Sequence, residues 1–257
     1  MRKLITGIIF LAFLISCTKQ KGNDLSDYKI SKIYYGFFAP LREYTVTYSG
    51  NNITELKGVG EKFVFSYDAS GNPVKKERFD TQTNVLFKKE TLEYNAAGQV
   101  TNHKIYSYDT DPNGELTFNR DYSYANSKLS GSKIFVKGSS QTVNYREVIT
   151  WENENLFTVA TYDENNVRQG CLTDTRFVFD PKENLFNTVF PKFRFQELSF
   201  GINASYVFLG NNTLSKIEYP CQQPGSLTVN FAYKYDSKGM VTEVAQDGYI
   251  LWKFEYN

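Results

Sequence analysis

An all-β fold, an antiparallel up-and-down meander of serial β-hairpins, is what this 257-residue sequence predicts, and three observations predict it. Composition is the first: 19 Tyr and 21 Phe against 2 Met and 7 Pro supply core material weighted toward strand formers. Alternation is the second, because short segments carry aromatic side chains on one parity and polar ones on the other. The third is a repeat of about 28 residues, in which an alternating strand ends on an aromatic anchor, a polar turn follows, and an apolar residue opens the returning strand.

The first unit is short: Tyr44-Thr45-Val46-Thr47-Tyr48, with Ile53 opening the return. Seven full units follow, with anchors Tyr67, Tyr94, Tyr124, Trp151, Phe179, Phe208 and Tyr235, spaced 27, 30, 27, 28, 29 and 27 residues apart. Their return strands open at Val74, Val100, Leu129, Leu156, Leu185, Leu214 and Val241. Phe63, Phe65 and Tyr67 share the anchor parity, as do Phe231, Tyr233 and Tyr235, while Ser66, Ser123, Arg176 and Lys234 stand between. One face is therefore aromatic and the other solvated. The turns hold Gly71, Gly98 and Gly239, or Asn126, Asn155, Asn184 and Asn212, residues suited to tight reversals. A last strand spans residues 250–256, with Ile250, Trp252, Phe254 and Tyr256 on the aromatic parity. Two strands per unit plus the last predict about 16–17 strands. With no helical stripe or linker-like composition, residues 28–257 form a single repeat-built β domain.

Size constrains the architecture. About sixteen strands spaced ~4.8 Å apart and tilted as in barrels enclose an interior ~30 Å across, too wide for facing side chains to fill unaided. The sheet is thus expected to be closed or curled into a large barrel or a flattened barrel, its aromatic face buried by flattening, by a plug or around a cavity. A transmembrane barrel with the apolar face outward is the alternative, disfavoured because Tyr recurs in mid-strand rather than in girdles.

The N-terminus reads as an address. Arg2 and Lys3 precede the apolar run of residues 4–15, the pattern of a signal peptide over residues 1–16, too short to span a bilayer comfortably. Its end, Leu14-Ile15-Ser16-Cys17, resembles the lipobox of bacterial lipoproteins. That resemblance implies cleavage before Cys17, acylation of its thiol, and membrane attachment in a Gram-negative envelope, with residues 17–27 as a lipid-anchored tether. Lys19-Gln20-Lys21 follows the cysteine where an acidic run would accompany surface export, so the periplasmic side of the outer membrane is expected. The mature chain then carries 27 basic and 28 acidic residues, a formal charge of −1, which offers nothing to nucleic acid. Cys171 and Cys221 would lie in an oxidising compartment, either bridged or as two buried thiols.

Tyr67-Asp68-Ala69-Ser70-Gly71, Tyr94-Asn95-Ala96-Ala97-Gly98 and Tyr235-Asp236-Ser237-Lys238-Gly239 resemble the Tyr-Asp-x-x-Gly core of YD repeats, although the spacing here is longer and the middle four units lack the glycine. With the lipobox, the chain is similar over residues 28–257 to a family of repeat-built bacterial lipoproteins of unknown function whose fold is described as porin-like. The resemblance implies a large antiparallel barrel and carries no catalytic residues.

Candidate sites are few. Residues 163–174 and 190–203 read as long loops on the rim opposite the anchor turns, where Arg168 and Gln169 would face Phe193, Arg194 and Phe195. That set makes either a ligand rim or the cap of the barrel end. Asp109-Thr110-Asp111-Pro112-Asn113-Gly114 matches the opening of a calcium loop, but its twelfth position is Arg120, so no metal and no cofactor is expected. His103 is the only histidine and has no nucleophile elbow to serve. Trp151 and Trp252 share the anchor parity and are read as core. The expectation is a monomeric, non-enzymatic envelope protein that binds a small hydrophobic or glycan ligand. An interaction protein that uses exposed sheet edges, or a hydrolase built on carboxylates, stands behind it.

Overall fold

A computed structural model of the chain describes residues 28–36, 40–138, 141–153, 156–169, 175–183, 212–219 and 227–257. The leader, Cys17 and the tether lie outside them. Sixteen strands run in order: β1 (Ile30–Tyr35), β2 (Arg42–Ser49), β3 (Asn52–Gly58), β4 (Glu61–Tyr67), β5 (Pro73–Asp80), β6 (Leu86–Tyr94), β7 (Val100–Ser107), β8 (Glu115–Ala125), β9 (Lys128–Lys137), β10 (Thr142–Asn153), β11 (Leu156–Asp163), β12 (Thr175–Glu183), β13 (Asn212–Tyr219), β14 (Leu227–Tyr235), β15 (Val241–Gln246) and β16 (Tyr249–Tyr256). Each pairs antiparallel with its sequence neighbours, and β16 pairs with β1 to close the barrel. Closure completes a split hairpin: Tyr256 lies opposite Ile30 as Tyr67 lies opposite Pro73 or Tyr94 opposite Val100.

The repeat has a local cause. At each described anchor the ladder slips by a β-bulge, as between Ser66 and Tyr67, Glu93 and Tyr94, Ser123 and Tyr124, or Lys234 and Tyr235. A bulge bends and twists the strand, which curls the sheet once per unit. The polar tips of the anchors then tie each unit to the previous one. The hydroxyls of Tyr67, Tyr94, Tyr124 and Tyr256 donate to the carbonyls of Ile53, Pro73, Val100 and Val241 at 2.6–2.8 Å, and Trp151 Nε1 donates to Leu129 at 2.8 Å. In the turns, Asp68 and Asp236 accept backbone N–H groups through Oδ1, and Gly71 and Gly239 adopt φ of 73° and 84°. Such left-handed backbone is nearly free of cost only for glycine.

One pairing departs from the sequence reading. The hairpin partner of β12 is not a strand opening at Leu185 but β13, with Phe179 opposite Leu214. The return at Leu185 and the anchor strand at Phe208 therefore supply no strand of the ring, β1, which the repeat did not predict, joins it to make sixteen, and one anchor-to-return pair belongs to two different repeats. Residues 184–211, with Phe208, lie outside the described residues. Because Glu183 pairs with Asn212, that segment starts and ends on the rim of the anchor turns, here the turn rim. Residues 163–169 stand on the other, open rim, whereas residues 190–203, the second loop expected there, lie outside the described residues.

The aromatic parity faces inward. One cluster gathers Ile30, Ile33, Leu56, Phe65, Leu92, Val244, Trp252 and Phe254; a second gathers Leu129, Ile149, Phe157, Phe177, Leu214 and Ile217; Tyr122 and Phe231 pack against both. Phe157 and Phe177 stack at 4.9 Å. The outer wall is charged and solvated, with ion pairs between Lys32 and Glu43, Lys104 and Glu93, Arg176 and Glu218, and Lys234 and Glu243. In a bilayer each such Lys or Arg would cost roughly 2–4 kcal/mol near the midplane, which argues against the transmembrane alternative.

Candidate functional site

Among the described residues, three carboxylates on the inner wall break the apolar pattern, and each is paired with a cationic side chain. Lys76 Nζ of β5 lies 2.6 Å from Glu90 Oε1 of β6 as an ion pair, and His103 Nε2 of β7 lies 3.0 Å from Glu90 Oε2. The Lys76 and Glu90 side chains are 1% and 0% exposed, so this is a dry ion pair. Glu147 on β10 binds Arg120 of β8 and accepts from the Ser132 hydroxyl of β9, which itself accepts from Arg120 Nε at 3.0 Å. Glu61 on β4 binds Arg78 of β5 at 2.7 Å and Arg42 of β2 at 3.2 Å, and accepts from the Tyr44 hydroxyl.

The electrostatics follow from this packing. Burial alone would push the Glu90 carboxyl upward, but Lys76 and His103 overcome it and hold the group below its ordinary range. Burial, then the neighbouring Glu61, pushes Tyr44 well above the usual phenol value, which keeps it a neutral donor. Each of the three carboxylates thus faces a cationic partner within the wall.

The sequence carries a signal for this cluster that alternation alone passes over. Four residues before the anchors Tyr94, Tyr124 and Trp151 stand Glu90, Arg120 and Glu147, on the buried parity; the same position elsewhere holds Tyr44, Phe63, Thr175, Phe231 and Trp252. Charge on the core parity in three consecutive units marks one sector of the wall. His103 was legible only as a strand histidine with nothing arranged around it, whereas the fold sets Glu90 beside it and Phe118 edge-on at 5.5 Å.

Above this sector, at the open rim, register aligns Arg78 with Lys88 and Lys88 with Ser107. With Phe87, Asp109 and Thr117 they line a mouth cavity of about 390 Å³. The Arg78 guanidinium lies 6.0 Å from the Phe87 ring, and its buried Nε–H has no acceptor among the described residues. Ser107 donates to Asp109 Oδ2 at 2.9 Å. Asp111 takes the Asn113 N–H at 2.8 Å, and Gly114 adopts φ of 85°, so the segment read against a calcium loop is an Asx-type hairpin turn. Arg120 points away from that turn into the wall.

Of the predicted rim residues, Arg168 and Gln169 are described and Phe193, Arg194 and Phe195 are not. Tyr162-Asp163-Glu164-Asn165-Asn166 forms another copy of the anchor turn: Asp163 Oδ1 takes the Asn165 and Val167 N–H groups, and Asn166 adopts φ of 61°. Arg168 then bridges Tyr162, and Gln169 N–H donates to the Thr161 carbonyl at 2.9 Å. This part of the loop folds back on its own strand. Cys171 and Cys221 lie outside the described residues.

No family model matches the chain, and no curated protein does. Among solved structures, one of a protein titled TcdB2-TccC3 is 12% identical over 81% of this chain and 12% of that one, with a TM-score of 0.38. A porin-like protein from Bacteroides uniformis ATCC 8492 is 13% identical over 89% of this chain and 98% of that one, with a TM-score of 0.40. A porin-like protein from Bacteroides vulgatus ATCC 8482 is 12% identical, covers 90% of this chain and 99% of that one, and at a TM-score of 0.53 shares with it the barrel fold.

Proposed function

We propose that the protein is a non-enzymatic binding barrel of the cell envelope, tethered through acylated Cys17 after removal of residues 1–16, facing the periplasm from the outer membrane as a monomer. Of the two ligand classes the sequence suggests, we favour a glycan over a hydrophobic molecule. One observation carries the choice: the mouth cavity combines the Phe87 ring with Arg78, Lys88, Ser107, Asp109 and Thr117. An aromatic surface among donors and acceptors suits a sugar ring, and the volume is in the range of small-molecule sites, about 300–1,000 Å³. The domain begins at Tyr28 on the turn rim, so a tether over residues 17–27 leaves the mouth directed away from the anchoring membrane.

Closure of the barrel through β1 and β16 leaves no free edge, which weighs against an interaction protein built on sheet edges. The engagement of Glu61, Glu90 and Glu147 in ion pairs within the wall weighs against carboxylate-based hydrolysis.

Native mass spectrometry of the protein purified from its own envelope tests the proposal. A reproducible added mass is expected, and Phe87→Ala with Lys88→Ala should remove it. A bare mass across preparations, or an adduct indifferent to both changes, would overturn it.

A further inference from the structure

The outer wall holds a second polar cavity, independent of the mouth. On the outward face of β8–β10 register sets Asn119 beside Phe135 and Phe135 beside Asn144. One step along, Asp121 stands beside Lys133, Lys133 beside Arg146, and Arg146 beside Tyr162 of β11. The turn after β11 overhangs this surface with Glu164 and Asn166, and a groove of about 380 Å³ results.

Half of the groove is a fixed frame. Asn102 Nδ2 donates to Asn119 Oδ1 at 2.8 Å and to Asp121 Oδ1 at 2.7 Å, and Asn119 Nδ2 donates to Asp121 Oδ2 at 3.3 Å. Arg146 lies 4.5 Å from the Tyr162 ring centre and donates to Asn166 Oδ1 at 3.2 Å, which holds the overhang in place. The other half is unclaimed. Among the described residues, the Lys133 ammonium and the Asn144 amide have no hydrogen-bond or ion-pair partner, and the Phe135 ring stacks on no other ring. Elsewhere the outer wall closes on itself through pairs such as Lys104–Glu93 and Lys234–Glu243.

The chemistry selects one ligand class. Two cations stand against Asp121, Asp163 and Glu164, so a polyanion such as nucleic acid is repelled as much as attracted. A closed barrel offers no edge to an extended peptide. An apolar molecule would find Phe135, Ile134 and Tyr145 set among eight charged or amide residues, whose polar groups it would leave unpaired. A neutral saccharide fits every part: its C–H face rests on Phe135, its hydroxyls exchange hydrogen bonds with the Asn144 amide, which both donates and accepts, and Lys133 donates to a ring or hydroxyl oxygen. We propose that this groove is a saccharide-binding site on the outer wall, with Phe135 as the platform and Asn144 and Lys133 as the polar contacts.

The test uses the full-length protein in a detergent without a sugar head group, applied to immobilised maltotetraose, xylotetraose, mannotetraose and chitotetraose, with affinity for any bound probe measured by calorimetry. At least one probe should bind, and Phe135→Ala and Asn144→Ala should each weaken it by about tenfold, with a smaller loss for Lys133→Ala. These side chains point to solvent, so the melting temperature should hold, and Lys133→Ala with Asn144→Ala serves as the test pair if Phe135→Ala does not fold. Phe87→Ala with Lys88→Ala, at the mouth, should leave this affinity unchanged. Failure of all four probes to bind, binding that survives the loss of Phe135 and Asn144, or binding that disappears only with the mouth variant would overturn the proposal.

Discussion

The inner wall of the barrel solves one packing problem in two ways. From β11 through β16 to β1, the buried positions hold the apolar Phe157, Phe177, Ile217, Val244, Trp252, Phe254 and Ile33, with the uncharged Thr175 and Thr213 as the polar residues among them. From β4 to β10, equivalent positions hold Glu61, Lys76, Glu90, His103, Arg120 and Glu147, buried to the same degree and cross-linked by ion pairs. Burial of an apolar side chain is additive and tolerant, about 25 cal/mol per Å² wherever it is placed. Burial of a charge is all or nothing, because a desolvated ion without its partner costs several kcal/mol. The apolar sector should therefore yield gradually to substitution, and the ionic sector only as complete units.

The sharpest break in that comparison is Glu147→Leu, which strands the Arg120 guanidinium in the wall. A loss of about 3–5 kcal/mol is expected by urea denaturation. Replacing Arg120, Ser132 and Glu147 together by Met, Ala and Leu should recover most of it, since a well-packed apolar set is often no worse than the buried ions it replaces. If the triple variant stays as unstable as the single one, the sector is not a substitute for apolar packing and the comparison fails.

A pH titration probes the same sector with an intermediate effect. Glu90 ionises at a lower pH in the fold than its ordinary value of 4.5, because Lys76 and His103 outweigh the opposing effect of burial. Its contribution to stability is therefore complete above about pH 4.5 and is lost as pH falls through the lower folded value. Stability measured from pH 6 to pH 2 should fall along this limb, and Lys76→Met with Glu90→Leu should flatten it. An unchanged limb would place the acid sensitivity elsewhere.

The smallest effect concerns the ties between units. Tyr94→Phe removes the donor to the Pro73 carbonyl at 2.7 Å while keeping the ring. A cost of about 1 kcal/mol is expected, against none for Tyr249→Phe, whose ring is exposed at the open rim. Equal effects at the two positions would show that the aromatic anchors act by packing alone.

Much of the architecture was legible because hairpins are local. Alternation around Phe63, Phe65 and Tyr67 and the turn residues from Asp68 to Gly71 specify strand, face and reversal within a dozen positions. The skipped repeat was not legible, because Leu185 and Leu214 are equivalent returns for Phe179 by sequence, and barrel closure chooses between them. The environment of His103 was hidden for the same reason: Glu90 is thirteen residues away, and only the register of β6 on β7 with the slant of the barrel brings them together. Charge at the fourth residue before an anchor was readable, but its partners were not. For the mouth and the outer groove, the residue types were in view without the lateral stacking that makes Arg78, Lys88 and Ser107, or Asn119, Phe135 and Asn144, neighbours.

By itself, then, the sequence determined an all-β meander whose aromatic parity must be covered, since period-2 alternation and turn chemistry act over a few residues. Tertiary structure decided that the meander closes at sixteen strands, which anchor pairs with which return, and where buried charges find their counterions. Those outcomes depend on closure and register, which sum small bulges and tilts around the whole ring and so belong to no single stretch of chain.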